Sequence, residues 1–144
     1  MIEIHWNNID RVIAGVSALA EAVNTAHLFH WAEEVGFAGE TGIRDSILAG
    51  GQVRTKKGGP RYKSGKMFNS VGSRTVMGAG EAISNAGYGL GGTTPVWTEW
   101  QEGGTSRGIP PMHSMEEANK EMAEQVTPAG NRMVRNIRSE WNKI

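Results

Sequence analysis

Eighteen of the twenty glycines in this 144-residue chain fall between Gly36 and Gly108, leaving two flanks almost free of them. Glycine in a helix interior costs about 1 kcal/mol relative to alanine, so the flanks are predicted to be helical and the middle irregular and strand-rich. A chain of this length is the size of one domain and buries roughly 70% of the surface its unfolded state exposes. With 38% hydrophobic residues, one modest core is expected, with much loop around it. The absence of cysteine removes disulfides, thiolate zinc sites and thiol catalysis together. There is no run of ~18 apolar residues, and no basic start followed by an apolar stretch, so neither a membrane span nor a secretory signal is expected.

In the N-terminal flank Ile2, Ile4 and Trp6 alternate with Glu3 and His5, as in a short strand or extended arm. Asn7 or Asn8 then caps a helix whose Ile9, Val12, Val16, Leu19, Val23 and Ala26 trace one apolar stripe to about Val35, where Gly36 and Gly39 are expected to stop it. In the middle, residues 52–66 read as an extended, solvated basic loop. Two short antiparallel strands are expected between Val71 and Tyr88, turning near residues 78–80. Pro95 opens VWTEWQEGG, a short helical turn in which Val96, Trp97 and Trp100 are expected to lock against the core or a neighbour before Gly103 and Gly104 end it. The C-terminal flank starts at Met112 or Ser114 and places Met115, Ala118, Met122 and Val126 on one face. Thr127 and Pro128 then read as a new cap and first-turn proline, and Met133, Val134, Ile137 and Trp141 continue on one side. Two helices and one kinked helix both fit this pattern. The whole predicts a single α+β domain over residues 1–144, a small antiparallel sheet packed by long N- and C-terminal helices.

The formal charge is zero but segregated along the sequence. Residues 1–40 hold six acids against Arg11, net −5; residues 41–74 hold eight basic residues against Asp45, net +7; the remainder is net −2. Such zones can pair between copies of the chain or offer the middle to phosphate. Arg54, Lys56, Lys57, Arg61, Lys63, Lys66 and Arg74 would make phosphate binding salt-dependent. Tyr62 is the only aromatic among residues 52–66 and no recognition helix accompanies it, which argues against sequence-specific DNA reading. A nucleic-acid-binding module using residues 52–74, a merely solvated loop, and a loop docking on an acidic neighbour remain the three readings.

Catalytic patterns are sparse. His27, His30 and Glu34 have helical spacings of three and four that resemble half a metal site, but the HExxH order is absent, and packed or interfacial histidines fit as well. Glu99 and Glu102 share one turn, as a solvated pair or one matched to a basic partner would. No G-x-S-x-G elbow, GxxxxGK[ST] loop or dinucleotide fingerprint occurs. Neither an enzyme nor a cofactor or metal is expected.

The order of features resembles the tail-component family of long-tailed bacteriophages, the head–tail joining or tail completion proteins. In that family a [TS]-G-x-[LM]-x-x-S-[IV] segment precedes short strands, an aromatic turn ending in E-x-G-T, and a proline-led C-terminal helix. The matching residues here are Ser64, Gly65, Met67 and Ser70 with Val71; then Glu102, Gly104 and Thr105 after Trp97 and Trp100; then Pro111. Gly103 doubles the family's single glycine, and Met112 follows Pro111 where a phenylalanine is usual. Residues 41–47 match the first motif about as well as residues 64–71. The later copy leaves room for two strands before the aromatic turn, which makes residues 40–63 an insertion carrying the basic loop. The resemblance implies a virion subunit forming a ring, six copies, in the neck between capsid and tail, assembled in the host cytoplasm. Its implied partners are its own copies, neighbouring neck proteins such as a head-closure protein or a tail terminator, and viral DNA passing through the lumen without sequence-specific binding, with no membrane contact. Another minor tail or tail-terminator subunit is the alternative within that class. Subunit contacts are expected at Arg54, Lys56, Lys57, Arg61, Tyr62, Lys63, Lys66, Trp97 and Trp100.

Overall fold

The computed structural model describes residues 6–51, 65–78, 81–106 and 111–143. Helix α1 spans Trp6–Gly51, α2 Lys66–Ser70, strand β1 Val71–Met77, β2 Ala82–Tyr88, α3 Thr98–Gly103 and α4 Ser114–Trp141. The architecture is α+β: a two-stranded antiparallel sheet packed by the long first and last helices.

The expected stop at Gly36 and Gly39 is not there; α1 continues through Gly36, Gly39 and Gly42 to Gly51. The reason is close packing. A Cβ on Gly39 would lie 2.6 Å from Met122 Sδ and 2.9 Å from Ala86 Cβ, and one on Gly42 would lie 3.0 Å from Glu121 Cγ. A Cβ on Gly36 would collide with Ser84 Oγ. These glycines form the seam along which α1 approaches β2 and α4. The same correction applies to residues 40–51, expected as part of an insertion. Ile43 and Ile47 lie one turn apart there and are the most deeply buried large side chains, forming the core with Met67, Val71 and Ala118. Burying each isoleucine contributes about 1.5–3 kcal/mol.

The sheet complements that seam. β1 and β2 pair from Val71↔Tyr88 to Met77↔Ala82, and Gly78 N–H closes the turn on the Glu81 carbonyl at 2.9 Å. The face carrying Ser73, Thr75, Ser84 and Ala86 is half-buried, with Ser73 Oγ donating to Glu40 of α1 at 2.8 Å. Small side chains here match the glycines opposite. On the other face Arg74 and Asn85 are exposed, as are Val76 and Ile83, a directly paired apolar couple.

The C-terminal flank is one helix. Pro128 lies inside α4 rather than starting a second helix, although an interior proline removes a backbone hydrogen bond at a cost of about 3 kcal/mol. Trp31 of α1 meets α4 at this point. Its indole N–H donates to the Val126 carbonyl at 3.0 Å and its ring packs on Gly130, which thereby ties the helix down on both sides of the proline. α4 runs antiparallel to α1: Ala118 lies by Gly42, Met122 by Gly39, Arg132 bonds Glu34 and Glu140 bonds His27. Glu140 is the residue before the end of α4 at Trp141. The described side chains at residues 13–18 of α1 are all exposed.

Candidate subunit interface

The aromatic turn is built from both sides of α3. Pro95 supplies the carbonyl that Thr98 N–H bonds at 3.0 Å, Trp97 that for Gln101 N–H at 3.2 Å, and Gly104, at φ 71°, turns the chain out of the helix. The inward residues are Thr98 and Gln101, not the aromatics. Val96, Trp97 and Trp100 are 86%, 38% and 58% exposed, so they do not lock the turn onto the core. What locks it is polar. Tyr88 at the end of β2 donates its hydroxyl to Glu102 at 2.7 Å and lies 2.7 Å from Ser114 Oγ, and Ser114 also donates to Glu102. Burial, reinforced by the Glu102 carboxylate, raises the Tyr88 pKa far above the usual phenol range, against the opposing Ser114 bond, so the hydroxyl keeps its proton. This clasp joins strand, short helix and the first residue of α4. Exposed Glu99 and half-buried Glu102 line one hollow, and the hydrogen-bond partners of Glu102 are hydroxyls.

The motif residues that carried the family resemblance are placed at the same corner. Gly65 adopts a left-handed conformation, φ 67°, ahead of α2. Met67 is in the core; Ser70 is buried, donates to the Met67 carbonyl, and offers its own carbonyl to Gly89 and Gly91 N–H at 2.8 and 3.1 Å. Gly91 and Gly72 pack backbone to backbone there, with 2.6 Å from a Gly72 Cβ to Gly91 N. Thr105 makes a single β-bridge, and exposed Pro111 leads into Met112, whose N–H returns to the Gln101 carbonyl at 2.9 Å. These residues hold the fold. Sequence reasoning missed Tyr88 and Ser114, whose types and spacing carry no motif.

Of the predicted contact residues, Arg54, Lys56, Lys57, Arg61, Tyr62 and Lys63, with the motif residue Ser64, lie outside the described residues, whereas Lys66 is the exposed first residue of α2 rather than part of a loop. Among the described residues, charges of different zones pair with one another. Arg44, counted in the basic middle, pairs with Glu40 at 3.0 Å, donates to the Val71 carbonyl and lies over the Phe68 ring. Glu34 of the acidic front is paired with Arg132 from the far end of the chain. The histidines are likewise drawn apart: His27 bonds Glu140 at 2.9 Å, His30 faces Glu33 at 3.4 Å, and Glu34 serves Arg132. Among the described residues no three His, Asp or Glu side chains converge on a metal position, and no helix is long and apolar enough to cross a membrane.

No family model matches the sequence, and neither a curated protein nor a solved structure is similar to it.

Proposed function

We propose that the chain is a structural subunit that closes into a ring in the head–tail connector of a tailed phage, joining capsid connector and tail around the DNA. The observation that carries this reading is the imbalance of apolar surface. Among the described residues six hydrophobic side chains are buried, two of them alanines, whereas fourteen large ones are exposed, among them Ile13, Val16, Val96, Trp97 and Trp100. A scattered exposed leucine is ordinary; an apolar helical segment uncovered on every side together with a tryptophan-bearing corner is surface made for contact. The order of motifs along the sequence, from Gly65 to Pro111, supports the viral class. In this role the Tyr88–Glu102–Ser114 clasp fixes the corner that presents the tryptophans, and contacts between identical subunits close a ring when the rotation per subunit divides a full turn.

Native mass spectrometry and electron-microscope class averages of the purified full chain test the proposal. A closed ring of defined order is expected. A monomer at all concentrations overturns it, and a monomer that also retards DNA in a gel favours the nucleic-acid-binding reading instead.

A further inference from the structure

Two apolar surfaces of this chain lie where they cannot cover one another. The first is the N-terminal segment of α1. Residues 13–18 cover more than one and a half helical turns and every one is exposed, with Ile13 at 58% and Val16 at 50%. A Cβ on Gly15 would meet nothing within 4 Å. A helix apolar all round is normally a buried one. The second is the α3 corner, where Val96, Trp97 and Trp100 are exposed beside a shallow hollow of about 450 Å³ lined by Pro95 and Val96 together with Tyr88, Thr98, Glu99 and Glu102. The corner is tied through Met112 and Ser114 to the N-terminal end of α4, at the level of Ile43 on α1. From Val16 to Ile43 along α1 is about 40 Å at 1.5 Å per residue. One chain therefore carries exposed apolar helix surface at one end and, at the other, a corner whose exposed Val96, Trp97 and Trp100 border a hollow with a polar side.

We infer that the occupant of the α3 corner is a second copy of this chain: the α1 segment before His27 lies across Val96, Trp97 and Trp100 of the next subunit, with Ile13 and Val16 directed at the hollow. The area suffices. Residues 6–26 make a helix about 31 Å long and about 10 Å across, and laying half its circumference on a partner buries roughly 500 Å² per side, about 1,000 Å² in all, near the lower limit of a specific interface. Each subunit gives its helix to one neighbour and receives one from the other, so the contact is head-to-tail and recurs around a ring. The tryptophans supply the large, rigid contact area that dominates such interfaces. This assignment rests on the ring reading above and specifies the surface that closes it.

Because the chain has no cysteine, paired thiols report the contact cleanly. Val16→Cys and Val96→Cys both fall on exposed positions, so the fold is retained. Treatment of an equimolar mixture of the two single variants with a short bismaleimide is expected to give a covalent dimer, with each variant alone giving none. The double variant is expected to give a ladder ending at the ring order found by native mass. Val16→Asp and Val96→Asp are each expected to weaken ring closure roughly tenfold or more, while melting of the separated subunit is unchanged. If the ring forms but Val16→Cys links to itself, or no mixed product appears, or both Asp variants close normally, the assignment is overturned and the ring reading stands. A chain that never leaves the monomer overturns both.

Discussion

Gly39→Ala, compared with Gly15→Ala, isolates the close approach that carries α1 through its glycines. In any helix the change to alanine gains roughly 0.8–1 kcal/mol by restricting the unfolded chain and covering the backbone. At Gly15 the new methyl meets nothing within 4 Å, so the full gain, up to about 1 kcal/mol, is expected. At Gly39 it arrives 2.6 and 2.7 Å from Sδ and Cγ of Met122 and 2.9 Å from the Cβ of Ala86. Met122 can turn aside, since a thioether chain has several rotamers. Ala86 has no rotamer to change and is held in β2 by its pairing with Ser73, so α1 and the sheet must separate. Overpacking of this kind typically costs 1–3 kcal/mol. Taking about 2 kcal/mol, Gly39→Ala should be about 1 kcal/mol less stable than the parent, and the two variants should differ by about 2 kcal/mol. Urea unfolding followed by circular dichroism reads this directly, with the corresponding shift in Tm roughly 3–4 °C per kcal/mol for a chain of this size. If the two alanines stabilise equally, the seam is not the close contact described here, and the continuity of α1 needs another cause.

Trp100→Ala should change monomer stability by no more than about 0.5 kcal/mol, because its side chain is largely exposed, yet impair ring closure; a large drop in the melting temperature of the separated subunit would show the tryptophan to be a core residue. Tyr88→Phe should alter the alkaline limb of the stability profile. The folded state raises the Tyr88 pKa above its ordinary value of about 10, so the associated stability is fully present below pH ~10 and is lost as pH rises beyond it. Unfolding measured from pH 8 to 11 should therefore fall less steeply in the variant, and identical slopes would dismiss the buried phenol. Changing Lys56, Lys57, Arg61 and Lys63 together to glutamine should leave the melting temperature unchanged and weaken the joining of rings, with the difference from the parent shrinking as salt is raised; normal joining at low salt would remove the docking role of that segment.

The flanking helices and the hairpin were legible because glycine distribution and alternation are local signals. The length of α1 was not. Glycine lowers helix propensity wherever it stands, and nothing local says that Ser84, Ala86, Ala118 and Met122 will close on Gly36, Gly39 and Gly42 from β2 and α4. Pro128 left one helix and two equally open for the same reason, since the contacts of Trp31 that flank it come from a residue almost a hundred positions earlier. At the aromatic turn, i, i+1, i+4 spacing found the helix but assigned its inner face to the largest residues. The inner face belongs to Thr98 and Gln101, because Glu102 has to reach Tyr88 and Ser114. A hydroxyl-to-carboxylate clasp between three separate elements leaves no trace in spacing. Charge summed along the sequence failed where chain neighbours are not spatial neighbours, as Arg132 beside Glu34 illustrates.

Of the apolar stripe expected along α1, Val16 and Ala26 are exposed. Periodicity states only that one face of a helix avoids water; it does not say which chain does the covering. Within this subunit the deep core includes Ile43 and Ile47, about two turns and more beyond Val35, where the stripe was expected to end, while Val16 within it remains half exposed. Near the C-terminal end of α4, Glu140 bonds His27, and toward the N-terminus of α1 the side chains at residues 13–18 are all exposed. Ile13 and Val16, exposed in that stretch, bury little within the subunit and keep their cost of hydration. On the proposed ring reading that cost is recovered in the assembly, which is why Ile13 and Val16 are the side chains whose change tests it.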